Sequence, residues 1–250
     1  MRFFKKIKMI TYDELDSTNI QSWDRIKSAE AQHGDIILSH FQNGGKGQGS
    51  NSWYSSPSKN ILFSVICKEL NLSINKLPVL NMLVSLAIYD TLQSFFKEHT
   101  RIKWPNDIFI DDKKIAGILI ETTLAGENIK NAVIGVGINI NESQFPNDLP
   151  NAVSIFTLTG NYQNTDMVLS MVIEYLDKRL SQLNQGFEEI QKDYEAVLYG
   201  LNLKKYFRSS INDFEGTISG VNNKGQLCVS TPDGLKTFNH KEISIDFGKY

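Results

Sequence analysis

With 250 residues, 41% of them hydrophobic, the chain has enough apolar material for one large core or for a large and a small one. A formal net charge of −2 gives no long-range field to gather nucleic acid or an anionic membrane, and no apolar run approaches the ~20 residues that cross a bilayer. The basic start "MRFFKKIKMITYDELDS" has too short and too interrupted an apolar stretch for a secretory signal, so the expected compartment is the cytoplasm.

In chain order, "KIKMITYDEL" reads as a strand, and "DSTNIQSWDRIKSAE" as a short helix with Asp16, Ser17 and Thr18 as candidate N-caps. "GDIILSHFQ" and "NILFSVICKEL" are strand-like, separated by the glycine-rich "FQNGGKGQGSNSWYSS". "INKLPVLNMLVSLAIYDTLQSFFKEH" carries apolar residues at helical spacing and predicts a long core helix. Residues 101–140 show three strand-like runs with turn signals at Asp111-Asp112 and Ala125–Asn128, which suggests a meander.

A loop-rich connection, "FPNDLPNAVSIFTLTGN", leads to helical segments near "TDMVLSMVIEYLDKRLSQL" and "FEEIQKDYEAVLYG". Together these predict a mixed α/β domain over residues 1–200. From 201 to 250 short alternating runs broken by Asn-Lys-Gly and Pro-Asp-Gly turns predict a small β-barrel. Cys67 and Cys228 each lie in an apolar strand-like run and read as buried free thiols, and four single histidines lack the spacing of a zinc site.

Three clusters carry polar chemistry. Gly44, Gly45, Gly47 and Gly49 surround Lys46 and Gln48 with no acidic residue, so this stretch is either a flexible loop or a backbone cradle for an anion such as phosphate or carboxylate. It has neither the spacing nor the ending of a Walker loop. In "KWPND", Pro105 restricts Trp104 and holds Lys103, Asn106 and Asp107 at the start of a strand, which is a proline turn or a rigid site. "GVGIN" puts Asn139 beside Gly135 and Gly137, in a bulge, a tight turn or a site.

Taken in order, "DSTN", the glycine-basic loop ending in Trp53, "KWPND", "KKIAGIL" and "GVGIN" resemble a biotin protein ligase, and "KEIS" near the C-terminus extends the likeness. The resemblance implies an α+β fold: a mixed sheet with flanking helices like that of class II aminoacyl-tRNA synthetases, followed by an SH3-like barrel. It implies that ATP and Mg²⁺ activate biotin as biotinyl-5′-AMP and that a lysine of a biotin carboxyl carrier protein accepts the biotinyl group.

The residue roles it implies run as follows. Ser17, Thr18, Asn19, Gln42, Lys46, Gly47, Gln48, Lys114 and Gly135 would bind biotin, and Gly45, Lys46, Trp53, Asn106 and Asn139 would bind ATP. Lys114 would be the catalytic cation between carboxylate and phosphate, with Lys103 sharing that role and Asp107 assisting through Mg²⁺ or water. Relatives often carry arginines in the loop, where this chain has Lys46 and Gln48, so the second charge is lost. No winged-helix segment fits ahead of "DSTN", so specific DNA binding is not expected; neither is a membrane, and the expected state is a monomer or weak homodimer. Two other readings are a lipoate protein ligase, which needs a long apolar tunnel rather than partners for a ureido ring, and a non-catalytic biotin-binding module, which needs no ATP site.

Overall fold

The computed structural model describes residues 2–49 and 51–248; Ser50, in the glycine-rich stretch, lies outside the described residues. Eight strands form the larger sheet: β1 (Lys8–Tyr12), β2 (Asp35–Ser39), β3 (Ile61–Cys67), β4 (Leu72–Ser73), β5 (Thr100–Lys103), β6 (Asp107–Ile110), β7 (Lys113–Ala125) and β8 (Asn128–Ile138). Their order is β1-β2-β3-β8-β7-β6-β5, with the short β4 beside β8. β1 and β2 run parallel because helix α1 (Thr18–Lys27) lies in the crossover between them, and the other pairs are antiparallel.

The expected meander is present as β5 to β8, but with four strands rather than three. Pro105 has no N–H to give to a ladder, so the first run breaks into a hairpin in which Lys103 pairs with Asp107. That turn is fixed from two sides. The Pro105 carbonyl accepts from Asn81 Nδ2 at 3.0 Å and from Tyr194 Oη at 2.9 Å.

The alternating side chains of the sheet serve two faces. Phe63, Val65, Ala116, Ile118, Ile134, Val136 and Ile138 face the main core, which is filled by helix α2 (Leu77–Phe96) and backed by α4 (Thr165–Leu180) and α5 (Phe187–Ala196). Arg179 of α4 clamps the three helices, reaching Asp90 of α2 at 2.6 Å and Asp193 of α5 at 2.8 Å. By length and composition alone, the stretch Ile74–His99 is apolar enough to cross a membrane, contrary to the reading of the sequence; here it is a core helix with Leu80, Leu83, Ala87 and Ile88 fully buried.

The opposite face of the sheet carries α1 over a smaller cluster containing Ile37 and Ile66. Next to α1 on that face, β8 offers Gly135 and Gly137 where large side chains would otherwise stand.

Five strands form a second, antiparallel sheet: β9 (Lys204–Ser209), β10 (Phe214–Val221), β11 (Leu227–Thr231), β12 (Gly234–Phe238) and β13 (Ile243–Ile245), in the order β12-β11-β10-β9-β13. The two predicted turns are there, with Gly225 at φ 75° and Gly234 at φ 111°, conformations that suit a residue without Cβ. This sheet is docked on the first part of the chain through Trp104, whose indole donates to the Gly225 carbonyl at 2.9 Å.

Two local readings need correction. The connection expected to be loop also holds helix α3 (Ile155–Thr159), started by a capping box between Ser154 and Thr157. Cys67 is fully buried and burial pushes its thiol up to about 12, whereas Cys228 is only half-buried because β11 is a strand of the smaller sheet with one face open.

Burial, with Glu195 beside it, raises the Cys228 thiol as well, so iodoacetamide at pH 8 is expected to label Cys228 slowly in the native protein and to leave Cys67 unmodified until unfolding, as peptide mass mapping would show. Equal labelling of both in the folded protein would contradict this packing.

Candidate active site

The site lies on the α1 face of the large sheet, and glycines make room for it. Gly117 of β7 stands directly opposite Gly137 of β8, leaving a flat patch of bare backbone. The Trp53 indole lies on that patch: a Cβ on Gly137 would sit 2.5 Å from Trp53 Cε2, and one on Gly117 2.8 Å from its Cζ3. Gly135, paired with Ser64 of β3 and Leu119 of β7, plays the same part for Asn19. A Cβ there would meet Asn19 Oδ1 at 2.2 Å.

Above this floor is a cavity of about 120 Å³. Ser17, Thr18 and Asn19 reach it from the start of α1, Gln42, Lys46, Gly47 and Gln48 from the glycine-rich loop, and Asn106, Asp107 and Lys114 from β6, β7 and the turn before them. The sequence therefore anticipates most of the wall. It does not anticipate His240, which the smaller sheet contributes through the β12–β13 connection, nor Gly117, Ile118, Leu119, Val136 and Gly137 of the strands. "KKIAGIL" and "GVGIN" draw the eye to Lys114, Asn139 and Gly135, while period-2 alternation points to Gly117, Leu119 and Gly137 as well; Ile118 and Val136 send their side chains to the core face. A wider groove of about 700 Å³ adjoins the cavity between α2 and the smaller sheet, sharing Gln48, Asn106, Leu119 and His240 with it.

The start of α1 is capped from outside the helix. Ser17 occupies the N-cap in extended geometry but makes no side-chain capping bond; instead Gln42 Oε1 accepts from the Thr18 N–H at 2.7 Å. With its oxygen so used, the Gln42 amide has its N–H₂ donors left for other partners.

At the other end Lys114 Nζ pairs with Asp107 Oδ1 at 2.6 Å and stands 5.5 Å from the Trp53 ring centroid, so a cation, a carboxylate and an aromatic face are gathered in one place. Two of the seven buried polar side-chain atoms without a hydrogen-bond partner among the described residues belong to residues of this wall: Gln48 Oε1 and Trp53 Nε1. Such atoms are costly to bury and suit a polar ligand.

Three expected site residues do not line the cavity. Lys103 turns the other way, its ammonium 5.3 Å from the Phe109 ring and 5.7 Å from that of Phe247; burial holds its pKa below the usual lysine range, Lys114 adds to the effect, and Asp107 opposes it. Gly45 serves packing, since a Cβ there would lie 2.5 Å from the Trp53 carbonyl oxygen. Asn139 donates to the Val153 carbonyl at 2.9 Å and so ties the end of β8 to the segment before α3.

The glycine-rich stretch also differs from an open anion cradle. It folds on itself, with Trp53 N–H donating to the Gly45 carbonyl and Gly47 N–H to that of Asn51, both at 2.8 Å, while Gly44 N–H donates to the Asp16 carbonyl at 3.0 Å. Within the stretch only Gly49 of the described glycines has positive φ. Gly45 is needed for close approach, Gly47 is tight against Asn51 at 3.1 Å, and Gly44 is in ordinary contact only.

His240 lies edge-on to Trp104, with ring centroids 5.9 Å apart. Burial lowers its pKa; Lys241, Lys103 and Lys114 act in the same direction and Asp107 against it. The cavity rim thus carries a histidine whose neutral form is favoured.

Comparison with known proteins finds a matching family model, relatives along most of the chain and a shared fold. A sequence model of the biotin/lipoate A/B protein ligase family matches residues 12–139. The bifunctional ligase/repressor BirA of Salmonella typhimurium is 31% identical over 234 residues, covering 92% of this chain and 72% of that protein. The biotin–[acetyl-CoA-carboxylase] ligase of Mycobacterium tuberculosis is 24% identical over 220 residues, covering 85% and 79%. Among solved structures, a biotin protein ligase from Aquifex aeolicus in complex with biotin and ATP has a TM-score of 0.80 at 23% identity, with 97% of this chain and 99% of that one covered, which shows a shared fold.

The bare patch under Trp53 gives a direct expectation. Gly137→Ala should displace the indole, shifting tryptophan emission to the red and raising quenching by acrylamide, because the strand backbone cannot yield as a side chain can. An unchanged spectrum would place Trp53 elsewhere.

Proposed function

The chain belongs to the biotin/lipoate A/B protein ligase family, and from that premise we infer that it is a biotin protein ligase, which activates biotin with ATP to biotinyl-5′-AMP and passes the biotinyl group to a lysine of a biotin carboxyl carrier protein. In the first step a biotin carboxylate oxygen bonds to the α-phosphorus of ATP and pyrophosphate leaves. In the second the acceptor amine, having lost its proton, bonds to the acyl carbon and AMP leaves.

The observation that carries the reading is the polarity of the two ends of the cavity. At one end Thr18 and the Gln42 amide offer an acceptor and a donor side by side, which suits the N–H and C=O of a ureido ring. At the other, Lys114 beside Asp107 and Trp53 offers a cation where charge develops on carboxylate and phosphate, with an aromatic face for a purine. A lipoyl chain would leave the first end unsatisfied, and a plain biotin-binding module would have no use for the second.

On this reading Ser17, Thr18, Asn19 and Gln42 hold biotin, with Gly135 giving them room. Lys46, Gly47 and Gln48 close over the carboxylate, and Lys114 serves the transition state. Trp53 and Asn106 serve ATP, with Gly45 seating Trp53 and Asn139 tying down the end of β8 behind them. Lys103 contributes positive potential behind Asp107 rather than a direct bond.

The donor set suits Mg²⁺ only as an ion carried in by the triphosphate. Asp107 is the one carboxylate at the cavity among the described lining residues, and no group of three metal-ligating side chains occurs among the described residues. Asp107 would hold it, and its chemistry would be to offset phosphate charge.

The proposed organisation is a catalytic unit over residues 1–200, of the kind seen in class II aminoacyl-tRNA synthetases, and an SH3-like unit over 201–250 that completes the rim through His240. The proposed setting is the cytoplasm, as a monomer or weak homodimer without specific DNA or membrane binding.

Incubation with ATP, Mg²⁺ and labelled biotin should give biotinyl-5′-AMP, and adding a carrier domain should give the biotinylated carrier; lipoate in place of biotin should give neither. Lys114→Ala should lower adenylate formation by about 10² to 10³ while biotin still binds, since the lost charge serves mainly the transition state. Near-normal adenylation by this variant would remove Lys114 from the chemistry.

A further inference from the structure

Beneath the cavity runs a chain of hydrogen bonds that ends on a carboxylate. Asn19 Nδ2 donates to Glu121 Oε2 at 2.8 Å, and the Trp23 indole N–H donates to the same oxygen at 3.2 Å. On the other side of the amide, Asn19 Oδ1 lies 2.6 Å from Ser64 Oγ, which in turn lies 2.7 Å from Thr18 Oγ1. Ser64 is fully buried, and Thr18 and Asn19 nearly so.

The directions of these bonds are not free. An indole N–H only donates, so Glu121 Oε2 is an acceptor. The amide must then turn its N–H₂ towards Glu121; flipped, it would set oxygen against oxygen there. Asn19 Oδ1 is therefore an acceptor, and Ser64 must give it its single proton. Ser64 is left with lone pairs only towards Thr18, so the Thr18 hydroxyl donates its proton to Ser64. What Thr18 has left for the cavity is a lone pair.

We propose that Glu121 and Ser64 are specificity-determining positioning residues: acting through Asn19, they lock the Thr18 hydroxyl as an acceptor, so that this wall reads a ring N–H of the ligand and rejects an isostere with a lone pair there. This rests on the biotin reading, and it gives that reading a reason at the level of protons. A serine or threonine hydroxyl normally accommodates donor or acceptor by rotation. Here rotation is blocked by a relay whose far end lies outside the cavity. Gly135 belongs to the same device, since only a missing Cβ lets Asn19 Oδ1 reach its place.

The probes are biotin and its two cyclic carbamates, in which one or the other ureido N–H is replaced by oxygen. The measured quantity is kcat/KM for adenylate formation, taken for biotin relative to each carbamate. In the wild-type protein one carbamate should be rejected by about tenfold or more, the cost of facing one lone pair with another in a buried site. In Ser64→Ala the Thr18 hydroxyl is free to turn and donate, so the ratio should fall about tenfold, chiefly through KM. Ser64→Thr, which restores a hydroxyl, should restore the ratio.

Glu121→Leu probes the relay from its partly exposed end: it leaves Asn19 Nδ2 only its longer, 3.4 Å bond to the Leu119 carbonyl and should relax the ratio in part even if Ser64→Ala does not fold. A merely structural role would lower activity on all three substrates together. An unchanged ratio in a folded Ser64→Ala or Glu121→Leu protein overturns the proposal while leaving the ligase intact. Failure of the wild-type protein to make adenylate from biotin at all overturns the reading beneath it, and the relay as a reader of biotin with it.

Discussion

The constraint on which the site depends is the bare backbone at Gly117, Gly135 and Gly137. A strand interior normally carries side chains on both faces, and here β7 and β8 give them up on one face only. The other face of the same strands carries Ala116, Ile118, Ile134, Val136 and Ile138 into the main core, so the strands stay anchored despite the weakness that glycine introduces. The sheet thus acts as a stiff plate, with adhesion on one side and clearance on the other. Trp53 occupies the clearance over Gly117 and Gly137, and Asn19 that over Gly135.

The remaining parts reach the site by supports that are rigid for separate reasons. The Trp104–Asn106 turn is held by Asn81 and Tyr194 through one carbonyl oxygen, which sets Asp107 and hence Lys114. The start of α1 is held by Gln42, so a side chain of the glycine-rich loop fixes the helix that presents Ser17, Thr18 and Asn19. The downstream end of that loop is pinned by buried Glu142, which accepts from Ser56 N–H at 3.0 Å and from Asn60 Nδ2 at 3.1 Å. Between these fixed ends the loop is closed on itself by backbone bonds that a ligand anion would have to match or displace.

Much of this is legible in the sequence, and what is not has physical causes. Periodicity locates α2, α4 and α5 and most strands, because each buries a stripe or a face that repeats along the chain. It misses the split between β5 and β6, where a proline ends a run that apolar content alone would continue, and it misses α3, which is too short to show a period. The residues that the motifs single out, Thr18, Gln42, Asn106, Asp107 and Lys114, line one cavity, since each sits at or just beyond the end of an element that the sheet brings to the same place. Lys103 is drawn in by nearness in sequence, and it shares a face of the hairpin with its partner Asp107, but its ammonium lies against Phe109 and Phe247 instead of lining the cavity. His240, Ser64 and Glu121 are invisible for another reason. Ser64 meets Thr18 from 46 residues along the chain and Glu121 meets Asn19 from 102, while His240 arrives from the second sheet, and no local pattern marks any of the three.

Missing side chains on one face of β8 build the ligand site, and this central claim can be measured directly. The experiment is calorimetric titration of biotin into Gly135→Ala beside the wild-type protein, with the melting temperature of each recorded. A Cβ at this position would lie 2.2 Å from Asn19 Oδ1, so the amide must leave its place. The expected result is a folded protein whose biotin affinity has fallen by about tenfold or more, the order of one buried hydrogen bond. Wild-type affinity in a folded Gly135→Ala protein would contradict it.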